Sequence, residues 1–151
     1  MVVLGWLPGT EGQVDIRKHK EARTVPGLVV YRFDDAILFF NADYFKMRLL
    51  EAVQSQANPQ AVLFDAEAVS SIDVSGIAAL REVRDTLAAQ GIFFAIARAR
   101  GTFLRMLVRS GIAREMEDKL LFGSVRAGIR AYRVWRNRRQ GQGDTVPHAA
   151  P

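Results

Sequence analysis

Cysteine is absent from all 151 residues, and histidine occurs twice, at His19 and His148. The first absence excludes a disulfide framework and thiolate chemistry, which fits the cytoplasm. The scarcity of histidine leaves no pair at metal-ligand spacing and no imidazole base near a serine, so neither a metal site nor a nucleophilic triad is expected. Missing too are a Walker A string and a GxGxxG fingerprint, the usual phosphate cradles. No apolar run approaches the roughly 20 residues of a membrane span. Met1–Leu7 is too short to cross a bilayer and lacks the basic lead of a secretory signal. As it stands the chain reads as one soluble domain, large enough for a real core, and not as an enzyme.

The charge is uneven. Residues 1–125 carry 15 basic and 15 acidic side chains, whereas residues 126–151 carry six arginines against one aspartate. The whole net charge of +5 therefore sits at the carboxyl end. A neutral body with no basic patch interleaved with aromatics argues against nucleic acid as the partner. The spacing of Arg126, Arg130 and Arg133 puts them on one helical face. That face is either solvated or attracted to anionic headgroups, at about 1 kcal/mol per charge.

Hydrophobic periodicity switches between two and 3.6 along the chain. Leu28–Phe33 and Ile37–Phe40 read as strands joined at Asp34-Asp35, a hairpin turn rather than an acid–base pair. Asn41 is placed to cap a helix with Phe45, Leu49 and Val53 inward, ended by Asn58-Pro59. A buried strand, Ala61–Asp65, precedes a helix with Leu80, Val83 and Leu87 inward that stops at Gln90-Gly91. Ile92–Ile96 is a third buried strand, and Thr102 can cap a short helix closed by Ser110-Gly111. A poorly defined strand lies near Met116–Phe122, with Glu115, Glu117 and Asp118 as a solvated charge run. A last helix covers about Ser124 to Trp135. Alternation of this kind predicts an α/β fold, with a mixed, mostly parallel sheet of about five strands covered by about four helices.

Ile72-Asp73-Val74-Ser75-Gly76-Ile77 is the most informative stretch. It sets a carboxylate and a hydroxyl at a helix N-terminus, where unpaired N–H groups and the helix dipole favour an anion. Asn41, Asp65, Asp73, Ser75 and Gly76 all fall where strand carboxyl ends feed helices, the usual site of such sheets. The plainer role for Asp73 or Ser75 is an N-cap, worth about 1 kcal/mol.

With the strand before it and the helix after it, this motif resembles the STAS domain shared by anti-sigma factor antagonists and the SulP anion transporters. The resemblance covers roughly residues 26–135. Leu4-Gly5, Leu7-Pro8-Gly9-Thr10, Val14-Asp15 and Glu21-Ala22 are similar to the lead-in that follows the last membrane span of SulP transporters. Arg32-Phe33-Asp34, Leu38-Phe39-Phe40 and Asn41-Ala42 continue that register. His19-Lys20 stands where the transporters commonly have Tyr-Pro. The resemblance implies a linker over 1–25 from a missing transmembrane domain, a STAS domain over 26–136 and a disordered basic, polar tail over 137–151. It further implies a regulatory module of a sulfate or other anion transporter at the cytoplasmic face of the plasma membrane. The partner would be the protein's own transmembrane domain, with a kinase or another regulatory protein also in view. Ser75 matches the serine that accepts phosphate from a partner kinase in the antagonists, and weak guanine-nucleotide binding at the same edge is a family expectation. The alternative is a soluble antagonist switched at Ser75.

Overall fold

The computed structural model describes residues 2–6, 13–15, 25–116 and 120–144, with side chains over 25–116 and 120–141. Its strands are β1 (Val2–Trp6), β2 (Gln13–Asp15), β3 (Leu28–Arg32), β4 (Ala61–Asp65), β5 (Phe93–Ala97) and β6 (Leu121–Phe122). Its helices are α1 (Ala42–Gln54), α2 (Val74–Ala89), α3 (Gly101–Arg109), α4 (Ile112–Glu115) and α5 (Val125–Asp144). The sheet order is β2-β1-β3-β4-β5-β6. β3 through β6 are parallel, and β1 joins antiparallel to both β2 and β3.

The period-two alternation of strand side chains divides the core in two. Val29, Tyr31, Val62, Phe64, Phe94 and Ile96 point to one face, where α1, α2, α3 and α4 cover them. Leu28, Val30, Ala61, Leu63, Ala95 and Ala97 point to the other, under Val125, Ile129 and Tyr132 of α5. Small residues on the second face let α5 come close. A Cβ added at Gly128 would lie 2.7 Å from a Leu63 methyl group. α2 ends as its sequence predicts, with Gly91 in the left-handed conformation at φ +70°.

Four expectations are corrected. Ile37–Phe40 is not the second strand of a hairpin. Ile37 makes one isolated parallel bridge to Ile72, and the following residues turn directly into α1. Thr102 does not cap α3, whose N-cap position is held by Arg100. Residues 2–6 and 13–15 are strands of the sheet rather than plain linker, since β1 pairs with β3 on one side and with β2 on the other. α5 continues through residues 137–144, within the stretch expected to be disordered tail. Leu7–Thr10, His19-Lys20, Glu21-Ala22, Glu117, Asp118 and residues 145–151, His148 among them, lie outside the described residues.

Candidate docking edge around Ser75

Asp73 organises this edge. Its backbone is extended at the N-cap position of α2, and its Oδ1 accepts from the Gly76 N–H at 2.9 Å. Its Oδ2 accepts from the Phe39 N–H at 2.8 Å, 34 residues away in sequence. The residue therefore caps one helix and anchors the loop that enters another. The backbone ties the same two segments. The Ile37 N–H donates to the Ser71 carbonyl at 3.0 Å, and the Asp73 N–H donates to the Ile37 carbonyl at 3.2 Å. Gly76 is required by this closeness, since a Cβ there would sit 2.3 Å from the Ile37 carbonyl oxygen.

Asn41 stands at the N-cap position of α1 but makes no side-chain cap. Its amide closes the loop before the helix instead. Oδ1 accepts from the Leu38 N–H at 2.8 Å, and Nδ2 donates to the Ala36 carbonyl at 2.8 Å. With the loop drawn in from both ends, its aromatic pair is turned outward. Phe39 is 77% exposed and Phe40 66%, with their rings edge to face at 5.6 Å between centres. Tyr44 and Met47 of α1 and Val74 of α2 are exposed as well. Sequence periodicity misses Phe39 and Phe40 because the unbroken apolar run Ile37–Phe40 reads as buried strand. Asp34-Asp35 before the run and Asn41 after it were the available signal of a loop.

Ser75 is exposed in the first turn of α2, one residue beyond the exposed Val74. Among the described residues the N–H groups of Val74 and Ser75 have no acceptor, as expected for the open end of a helix. Asp65 does not belong to this surface. It is fully buried at the end of β4, where Arg98 meets it with Nε at 3.0 Å from Oδ1 and a terminal nitrogen on Oδ2. The Glu67 N–H donates to Oδ1 as well, and Glu67 holds Arg98 at 2.7 Å. Hydrogen bonding to Asp65 raises the Arg98 pKa, so this cation stays charged. Asp65 is a structural ion pair, and its place in the candidate edge is corrected accordingly.

Arg126, Arg130 and Arg133 are exposed on α5, across the sheet from α1 and α2. Their shared face is observed, and it lies apart from Ser75. Among the described residues there is no cluster of three or more acidic or histidine side chains able to hold a metal, and no helix long and apolar enough to cross a membrane.

A sheet covered by α1 and α2 on one side and α5 on the other, with a polar turn at the head of α2, defines a two-faced α/β domain. Comparison with known proteins places it. Residues 19–128 match the STAS domain model, and the chain belongs to that family. A probable sulfate transporter of Mycobacterium tuberculosis is 33% identical over 132 residues, covering 87% of this chain and 24% of the transporter. The chain thus spans about a quarter of the length of that relative. The murine Solute Carrier 26 family member A9 anion transporter aligns with a TM-score of 0.81 at 15% identity, over 88% of this chain and 22% of that one. The SulP transporter STAS domain from Vibrio cholerae aligns at 0.63 and 21% identity, over 82% and 94%. An anti-sigma factor antagonist from Mycobacterium paratuberculosis aligns at 0.62 and 20% identity, over 74% and 90%.

Proposed function

We propose that this chain is the cytoplasmic regulatory and docking domain of a secondary anion transporter, with sulfate as the transported anion. The observation that carries this reading is the 33% identity to a probable sulfate transporter across 87% of the chain. The domain's partner is then the transmembrane part of its own protein, and the plasma membrane is its location. Phe39, Phe40, Tyr44, Met47 and Val74 form the contact surface. Exposed aromatic and methionine side chains on one edge favour a protein partner, because such residues dominate interface energetics.

Ser75 is the regulatory position within that surface. Phosphorylation there would add charge at a helix N-terminus, which the dipole favours, and beside Asp73, which opposes it. The same charge would face the apolar contact, so modification weakens docking. Guanine nucleotide is carried as a weak ligand of the same edge, supported only by the open N–H groups of Val74 and Ser75. The soluble-antagonist alternative uses the same residues with a kinase as partner, and the likeness of fold to an antagonist supports it.

Sulfate uptake tests the reading. The transporter bearing this domain, expressed in cells lacking their own sulfate uptake, should lose most of its activity on Ser75→Glu and keep it on Ser75→Ala, at equal membrane abundance. Equal uptake by both variants would remove Ser75 from regulation. Absence of any uptake by the unaltered protein would favour the antagonist.

A further inference from the structure

Two adjoining cavities of about 350 and 360 Å³ open at the end of the sheet opposite Ser75. Asn58, Gln60, Arg136 and Gln140 line both, and Gln90 and Arg139 complete the first. Gln60 immediately precedes β4 and Gln90 closes α2, so these are the amino ends of the central strands. Among the described residues no carboxylate lines either cavity. The walls are amides, backbone and two guanidinium groups, joined in the second cavity by the apolar Val25, Pro26, Leu28 and Ala57.

Both guanidiniums are held in place by aromatic rings. Arg136 lies over Tyr132 at 5.5 Å from the ring centre, and the Tyr132 hydroxyl donates to the Pro26 carbonyl at 2.8 Å. Arg139 lies over Trp135 at 5.1 Å, and Trp135 packs on Phe93 at 5.2 Å. A stacked guanidinium keeps its in-plane N–H groups directed at whatever lies beside the ring. Arg139 uses one of them on the Gly91 carbonyl at 2.9 Å, at the carbonyl end of α2. Arg136 has no acceptor among the described residues, and its Nε is buried without one. Other partly buried arginines meet carboxylates: Arg32 with Asp34, Arg81 and Arg84 with Glu115, and Arg98 with Asp65. A buried donor without a partner is costly, so an acceptor is expected to fill this position.

We propose that this paired cavity binds a tetrahedral oxyanion, sulfate or phosphate. Arg136 supplies the main charge-assisted contact, Arg139 a second, and the side-chain amides of Asn58, Gln60, Gln90 and Gln140 can donate to the remaining oxygens. The absence of nearby carboxylates leaves the guanidinium charge for the ligand. Binding stands on this chain alone and does not depend on the transporter reading.

Amide and arginine-Nε resonances followed during titration with sodium sulfate and with sodium phosphate, at ionic strength held constant with sodium chloride, test the proposal. Saturable shifts should centre on Gln60, Gly91 and the Arg136 and Arg139 side chains. Arg136→Gln should weaken binding about tenfold or more, and Arg126→Gln should leave it unchanged. Shifts that fail to saturate, that appear equally at Arg126 and Arg130, or that persist in Arg136→Gln would overturn it. Should Arg136→Gln not fold, the location and saturation of the wild-type shifts decide by themselves, with Arg139→Gln as the second variant.

Discussion

Two aspartates that look alike in the sequence do different work. Asp73 uses each carboxylate oxygen on a separate backbone N–H and so joins α2 to the Phe39 loop. Asp73→Ala should destabilise the domain by about 1–2 kcal/mol, the value of a lost N-cap, and free the loop. Urea denaturation measures the first effect, and faster amide exchange at Phe39 the second. Asp65 is sealed against Arg98, whose backbone is held at φ +59°, a conformation costing about 1–3 kcal/mol in a non-glycine residue. Asp65→Ala would leave Arg98 with Glu67 as its remaining carboxylate and remove two charge-assisted hydrogen bonds, and should cost about 2–3 kcal/mol by the same measurement. The sequence made both residues candidates because both end a strand or begin a helix. Which one faces solvent depends on Arg98, 33 residues further on, and no local window contains that pairing.

At the scale of elements, the sheet and its helices were largely legible because apolar periodicity reports burial directly. The Ile37–Phe40 segment was not legible. Its bonds come from Ser71 and Asp73 on another element, and these replace the strand ladder that its composition suggests. α5 runs past Trp135 into a polar sequence, where Arg136 and Arg139 pack on ring faces and on the end of α2. α4 is held to α2 by charge. Glu115 accepts from Arg81 and Arg84, and those hydrogen bonds lower its pKa from 4.5 to about 2. A carboxylate with a depressed folded pKa stabilises the fold above its unfolded pKa and loses that contribution as pH falls through the folded value. Stability should therefore decline between pH 4.5 and 2 through this group, and Glu115→Gln should flatten that part of the pH–stability curve. The exposed Arg126, Arg130 and Arg133 face belongs to this scale as well. If it meets headgroups, neutralising all three should remove about 3 kcal/mol of attraction at low salt, less at physiological salt. Co-sedimentation with anionic and neutral vesicles measures it, and equal binding to both would exclude the face.

For the whole molecule, the STAS fold leaves different surfaces at the two ends of one sheet. The carboxyl end carries Ser75 and an apolar rim, and the amino end carries two oriented arginines in a cavity that no carboxylate lines among the described residues. The first was signalled by the Asp-Val-Ser-Gly motif. The second was hidden, since its walls come from loops after α1 and α2 and from a helix expected to have ended. The proposed docking of the Phe39–Ser75 edge on the transporter's own membrane domain can be trapped chemically. A photoreactive amino acid placed at Phe39, in the full reading frame expressed in its native cell, tests it most directly. Cross-linking should join the domain to the membrane-spanning part of the same transporter and should diminish with Ser75→Glu. Cross-linking to a soluble kinase instead, with none to a membrane-spanning segment, would contradict it.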